Sequence, residues 1–383
     1  MACSYGVVYP LWSFADDRGA ALERIIDETG IDHVSIPLVT GPIYDFRAEP
    51  AAPPHYFHSS GGWHYEFDRK RYESLALKPV AASWVGKRHV LKEMLDFAAR
   101  RGIAVGFEFD FEPAVLENSD WIKAAHRTLH DEPSPVCPCR LHPDVQELIE
   151  RTFGELRGFG PRFVTIEDWA LREVHIAVFG AMYCIDPELA PEIAQCFCAG
   201  CRAVAVRSDR ALELSVGIDT FRTVFAQAMK NEPISPAART NLLRFSQQYR
   251  VLREEARVAA MQLAFGMLGE VERRISEPSV ATLENECGLR GASARVPLFG
   301  YYSDRSVDRQ LAALRDAGAR NWAFSISVGD PIPDASDKLV SLVSRLAEFS
   351  PVSIDFVDVD CAPRRVVGWI KQALRFARRS ESL

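Results

Sequence analysis

Six of the nine cysteines fall between residues 137 and 201, and three of them are compressed into Cys196-Phe-Cys-Ala-Gly-Cys201. The C-x-C-x-x-C spacing brings three thiols to one tight turn, and thiolates so placed hold a soft or borderline metal such as zinc. A closed tetrahedral site needs a fourth ligand. The upstream pair Cys137-Pro-Cys139 is the natural source, with Cys184 in reserve. Four thiolates leave no position for a substrate, so the expected zinc is structural. The scattered Cys3, Cys287 and Cys361 do not make a disulfide framework, and clustering of the rest favours a metal in a reducing compartment.

A second set of chemical groups ends the apolar runs. Phe163-Val-Thr-Ile-Glu-Asp-Trp169 closes on Glu167 and Asp168, which must face opposite ways. In Ile103–Phe111, alternation puts Glu108 and Asp110 on one face and Phe107, Phe109 and Phe111 on the other. Ser279–Glu284 supplies Glu284 with Glu286 beyond it, Asn321–Val328 runs into Asp330, and Val352–Val357 stops just before Asp358. Several carboxylates around one mouth suit glycosyl transfer, where one acid protonates the leaving oxygen and another acts as nucleophile or base. Glu167 and Glu284 are the favoured pair because glutamate reaches further than aspartate. Carboxyls about 5 Å apart would predict retention and roughly 6.5–9.5 Å inversion.

Aromatic residues point the same way. Trp63, Tyr65, Trp169, Tyr301 and Tyr302 are the expected substrate-stacking rings, and residues 44–72 are rich in Tyr, Phe, Trp and His. That loop could equally pack on itself, and His55, His58 and His64 are either ordinary hydrogen-bonders or metal ligands.

These groups need a scaffold. The strand-like runs Tyr5–Pro10, His33–Val39, Ile103–Phe111, Arg162–Trp169, Ser279–Glu284, Arg295–Tyr302, Asn321–Val328 and Val352–Val357 alternate with helical patterns. The helices are Ala20–Thr29, Lys87–Arg101, Pro143–Leu156, Pro236–Ile275, Val307–Ala317, Ser336–Phe349 and Pro363–Arg378. Repeated βα units imply a parallel sheet, and eight of them an α/β fold of the (β/α)8 barrel type in one domain, residues 1–383, with 171–235 as a cysteine-bearing insertion. Residues 285–294 are too few for a full helix. No Gly-x-Gly-x-x-Gly follows the first strand, so a dinucleotide fold lacks its fingerprint. In a barrel the strand ends line the active site, which is where the acids stand.

A chain with 48% apolar and 25% charged residues forms a substantial core. A net charge of −7 without a long basic run argues against nucleic acid as a partner. No run approaches the roughly 20 apolar residues of a membrane span. The N-terminus has neither a basic region nor an apolar stretch, so a cytoplasmic protein is expected. The helix over Pro236–Ile275 is longer than a barrel requires and predicts a homo-oligomer.

The cysteine turn after a strand ending in an acid resembles the zinc-bearing β-galactosidases of glycoside hydrolase family forty-two. It resembles still more the glycosidase-like barrels related to them. Those relatives carry a Cys-aromatic-Cys-x-x-Cys turn after the fourth strand and a Cys-x-x-x-Pro-acid-Val segment before the preceding helix. Here the latter reads Cys139-Arg-Leu-His-Pro-Asp-Val145, so the resemblance favours Cys139 over Cys137. It covers residues 135–202 and implies a glycosidase acting on a carbohydrate-like small molecule. The β-galactosidases end the fourth strand in Asn-Glu and place a nucleophilic glutamate after the seventh. This chain has Glu167-Asp168 at the first place, and Phe324-Ser-Ile-Ser-Val-Gly-Asp330 carries no glutamate at the second. Two other readings stay open: a metal-dependent isomerase or lyase on a polyol or sugar acid, using the acids with His126, His130 or His142, and a catalytically silent carbohydrate-binding barrel.

Overall fold

The computed structural model describes residues 3–47, 55–86, 88–110, 120–167, 195–208, 211–230, 232–276, 292–298, 311–312, 322–329 and 335–381. Eight parallel strands close into a barrel: β1 (Ser4–Val8), β2 (His33–Thr40), β3 (Ala104–Asp110), β4 (Phe163–Glu167), β5 (Glu272–Ser276), β6 (Ala292–Leu298), β7 (Trp322–Ser327) and β8 (Ser353–Val357). Each pairs with its neighbour in sequence, and β1 pairs with both β2 and β8, which closes the ring. The (β/α)8 expectation therefore holds.

The described helices are α1 (Leu11–Asp17), α2 (Ala20–Thr29), α3 (Val90–Arg101), α4 (Pro143–Gly158), α5 (Ala199–Arg207), α6 (Ala211–Met229), α7 (Pro236–Leu268), α8 (Ser336–Ala347) and α9 (Arg364–Glu381). Gly30 and Gly102 end α2 and α3 in the left-handed conformation, each returning its N–H to the last turn.

One expected strand is misplaced. The fifth barrel strand is Glu272–Ser276, not Ser279–Glu284, and it starts four residues after α7 ends at Leu268. Its sequence, Glu-Arg-Arg-Ile-Ser, has too many charges to read as a strand, so the helical pattern expected over Pro236–Ile275 runs on through it. Glu284 therefore does not end the fifth strand; it lies beyond it, outside the described residues.

Strand alternation divides the interior in two. Outward residues such as Val34, Ile36, Phe107, Val164, Ile166, Phe324 and Ile354 join one hydrophobic cluster with the helices, where Phe109 packs edge-on against Phe153 of α4. The inward residues are largely small or polar. Following the register around the ring, alternate strands contribute four residues to each layer. One layer is Gly6, Gly106, Arg274 and Ala323; the next is Ser35, Thr165, Arg295 and Asp355; the third is Val8, Glu108, Ser276 and Ser325. A Cβ at Gly6 would overlap the His33 ring, and one at Gly106 the Phe163 ring, so both glycines make room for larger groups.

Buried charge fills that room. Asp355 hydrogen-bonds His33 Nε2, while Ser4 Oγ meets His33 Nδ1 at 2.9 Å. Arg274 donates to Ser353 Oγ at 2.8 Å and Asp355 Oδ2 at 3.4 Å, and its guanidinium lies 3.5 Å from the Phe163 ring centroid. Burial alone would raise the Asp355 pKa, but His33, Arg274 and Arg295 outweigh it and hold the carboxyl well below the usual range.

A depressed folded-state pKa gives stability that is complete above the unfolded value and lost as pH falls through it. Acid unfolding should therefore steepen below about pH 4, the ordinary Asp value. Asp355→Ala should lower unfolding free energy by about 3 kcal/mol by urea titration at neutral pH, because it takes the buried carboxylate from His33 and leaves Arg274 with Glu272 as its remaining carboxylate partner. It should also flatten the acid limb.

Candidate active site and cysteine cluster

The C-terminal ends of the strands open into a cavity of about 300 Å³. Glu108, Asp110 and Glu167 line one wall, from β3 and β4. Asp358 and Asp360, just past β8, line another, and Asp45 reaches in from a hairpin after β2. None of its described lining residues is basic. The alternation expected for β3 is observed: Glu108 and Asp110 face the cavity while Phe107 and Phe109 are buried among the helices.

Arg295 on β6 sits beneath the first wall. Its Nη1 donates to Glu108 Oε1 at 2.6 Å and to Glu167 Oε1 at 3.2 Å. The two glutamates meet at one guanidinium, and each feels the other's charge. Glu167, 38% exposed, opens on the cavity. Desolvation raises its pKa first, the charges of Glu108 and Asp110 add to that, and Arg295 opposes them; the carboxyl is pushed up to about 7. A carboxylic acid that keeps its proton near neutrality, beside carboxylates, has the form of a general acid.

The opposite wall is held by hydroxyls and a thiol. Ser327 Oγ donates to Asp358 Oδ2 at 2.6 Å, and Ser13 Oγ hydrogen-bonds Asp360. Cys361 Sγ donates to Asp45 Oδ1 at 2.7 Å. Burial, with Asp360 and Asp45 beside it, pushes the Cys361 thiol far up, so it serves as a donor that pins the hairpin. Asp45, Asp360 and Cys361 bring their ligand atoms within 4.8 Å of one another, but a cation there would have to strip that proton.

Two expected substrate rings are elsewhere. Trp63 is 0% exposed and packs against Trp121 at 6.4 Å, and Tyr65 is buried with its hydroxyl donating to Glu155 Oε2 at 2.9 Å. Glu155 also accepts from Tyr72 Oη at 2.6 Å and from Asp68 N at 2.7 Å, so these rings form a loop core around one satisfied carboxylate. Neither Trp63 nor Tyr65 lines the cavity. His64 is a hydrogen-bonder: Trp84 Nε1 donates to its Nδ1 at 2.8 Å, Thr40 Oγ1 lies 2.7 Å from Nε2, and burial lowers its pKa to about 3. His126, His130 and His142 do not line the cavity. Asp168, Trp169, Cys184, Glu284, Glu286, Tyr301, Tyr302 and Asp330 lie outside the described residues.

Cys139, Cys196, Cys198 and Cys201 come together as expected, all buried, with their sulfurs within 4.8 Å of one another. Cys139 Sγ stands 3.5 Å from Cys201 Sγ. Backbone N–H groups point at the sulfurs, from Arg127 and Cys198 to Cys196 at 3.4 Å each and from Cys201 to Cys198 at 3.5 Å. The thiols sit in a second hydrophobic cluster with Phe197, Phe221, Leu242 and Tyr249. Arg253 is buried beside them; burial would lower its pKa, but the negative charge of Cys201 and its neighbours raises it.

The sequence reading missed Arg295, Arg274 and His33. Its available signal was an arginine in the middle of Ala292-Ser-Ala-Arg-Val-Pro-Leu298, where alternation puts a charge on the same face as Ser293. Asp45 and Asp360 were also missed, being ordinary loop acids in sequence.

No family profile matches the chain, and no curated protein matches it. Solved structures do. The chain aligns over 99% of its length with alpha-L-fucosidase isoenzyme 2 from Paenibacillus thiaminolyticus, at 8% identity and a TM-score of 0.58, and spans about half (50%) of that protein's length. It also aligns over 98% of its length with a GH27 β-L-arabinopyranosidase from Geobacillus stearothermophilus (7% identity, 76% of that chain, TM-score 0.47), and over 99% with a GH113 β-1,4-mannanase (10%, 98%, 0.45). The likeness to the fucosidase shows a shared barrel fold; the likeness to the β-galactosidases rests on the cysteine motif alone. Among the described residues no helix is long and apolar enough to cross a membrane.

The pKa of Glu167 is directly measurable. Carbon-13 NMR of labelled glutamate carboxyls should show one group titrating near pH 7. Glu108→Gln should move that midpoint down, since it deletes a raising charge and leaves Arg295 to Glu167 alone.

Proposed function

We propose that this chain is a glycoside hydrolase acting on a small carbohydrate, with Glu167 as general acid and a structural zinc in the cysteine cluster. The observation that carries the reading is the placement of Glu167, at the end of β4, sharing Arg295 with Glu108 and opening on a cavity lined by other acids, where its surroundings push its pKa up to about 7. Glu167 would give its proton to the leaving glycosidic oxygen. The reaction then needs an ionised carboxylate on the other side of the sugar ring. Asp358 is best placed for it, because β8 lies across the ring from β4 and Ser327 fixes the carboxylate. Asp110, paired in register with Glu167, would stabilise positive charge developing on the ring. The cavity, at the small end of ligand pockets, suits one reacting sugar.

The cysteine cluster fits zinc by its donor set. Four sulfurs at about 2.3 Å from one ion stand about 3.8 Å apart, close to the 3.5 Å between Cys139 and Cys201. Backbone N–H groups are aimed at the sulfurs, and the buried Arg253 favours a thiolate at Cys201. With all positions taken by cysteine, the metal would fasten the segment before α5 to the one before α4, and it takes no part in the reaction.

Glu167→Gln should lower turnover of glycosides with poor leaving groups by about 10²–10⁴-fold, and far less for activated aryl glycosides that need no proton. A general acid works protonated, so wild-type activity should fall as pH rises past about 7, and the variant should lack that limb. Unchanged turnover in Glu167→Gln would overturn the assignment; no turnover of any glycoside by the intact protein would favour a silent binding barrel. Elemental analysis should find one zinc per chain, lost in Cys139→Ser together with several degrees of thermal midpoint.

A further inference from the structure

The hairpin over the cavity has two unlike faces. Its strands, Ile43–Arg47 and His55–Ser59, pair Tyr44 with His58, Asp45 with Phe57 and Phe46 with Tyr56. Alternation puts Asp45 and Phe57 on the inner face. There Phe57 stacks on Trp12, rings parallel within 3° at 5.2 Å, and Asp45 takes the Cys361 thiol. The inner face is therefore anchored to the barrel. The outer face carries Tyr44 and Tyr56, 81% and 82% exposed, with the His58 ring 4.8 Å from that of Tyr44. Tyr44 also lines the cavity, so the two surfaces are continuous.

Large rings held in water on a fixed support contribute nothing to the core, and a flat aromatic face is what the apolar side of a pyranose stacks on. Charge narrows the ligand further. Six acids line the cavity, and Arg295 beneath Glu108 and Glu167 offsets part of their charge; with no basic residue in the described lining itself, the remaining negative charge disfavours uronates and phosphosugars and accepts neutral or amino-substituted rings. We propose that Tyr44, Tyr56 and His58 form a second saccharide subsite continuous with the cavity, so that the substrate is a neutral or amino-substituted chain of at least two sugar rings. This inference rests on the hydrolase reading and adds the length and charge of the substrate.

The test is calorimetric titration of the Glu167→Gln protein, in which turnover of unactivated saccharides is slowed, and of the same protein carrying Tyr44→Ala and Tyr56→Ala. The probes are neutral gluco-, manno- and galacto-chains of one, two and four rings, their glucosamine counterparts, and oligogalacturonates of equal length. Affinity should rise from one ring to four, and the double alanine variant should lose about 2- to 10-fold per ring removed on the four-ring probes alone. Tyr44→Phe with Tyr56→Phe should keep it. Equal affinity for one and four rings, or an equal loss on both, would overturn the subsite. Oligogalacturonates binding as tightly as neutral chains would overturn the charge selection. If no saccharide binds the folded protein, the hydrolase reading itself fails and the subsite falls with it.

Discussion

The acid wall that β3 and β4 present to the mouth of this barrel depends on a buried arginine. Arg295 sits inside the ring, one layer below Glu108, and its guanidinium reaches both Glu108 and Glu167. Two carboxylates this close to each other in a place with little water would otherwise force one to stay neutral or unfold the site. A single cation shared between them sets an intermediate condition: one partner close enough for a 2.6 Å ion pair, the other longer at 3.2 Å and raised toward neutrality. Arg274, one layer further down, performs the matching task for Asp355 and His33. The interior is thus a column of alternating charges rather than the branched aliphatic packing usual in such barrels. It keeps the acidic end from being a pile of unbalanced negative charge.

How much of this could be read from the sequence depended on whether the causes were local. Strand β3 declared itself because Phe-Glu-Phe-Asp alternates within a few residues, and the same period aimed its acids correctly. The glycines after α2 and α3 announced helix ends for an equally local reason. Strand β5 gave no such signal: besides Glu272 two residues away, Arg274 is received inside the barrel by Phe163, Ser353 and Asp355, which are all far away in sequence. The four cysteines were legible through their spacing, although the choice of Cys139 needed the resemblance.

The aromatic loop shows the same limit. Trp63 and Tyr65 read as well as Tyr44 and Tyr56 for sugar stacking, since ring type and loop position are the same. What separates them is Glu155 on α4, which draws Tyr65 and Tyr72 inward, and the Trp12–Phe57 stack, which turns the hairpin's other side outward. Neither partner is near in sequence to the rings it sorts, so composition could nominate the loop but not its members.

Helix α7 has a mechanical consequence. Over its 33 residues it runs about 50 Å. Leu242 and Tyr249 in its first half are cast into the cluster around the thiols, and Met261, Phe265 and Leu268 in its second half into the layer outside the barrel. It is a shaft set in two bearings. Four residues after it ends, the chain becomes β5, which carries Arg274 and registers with β4 beneath Glu167. One helix therefore ties the thiol cluster to the strand that carries Arg274 into the ring.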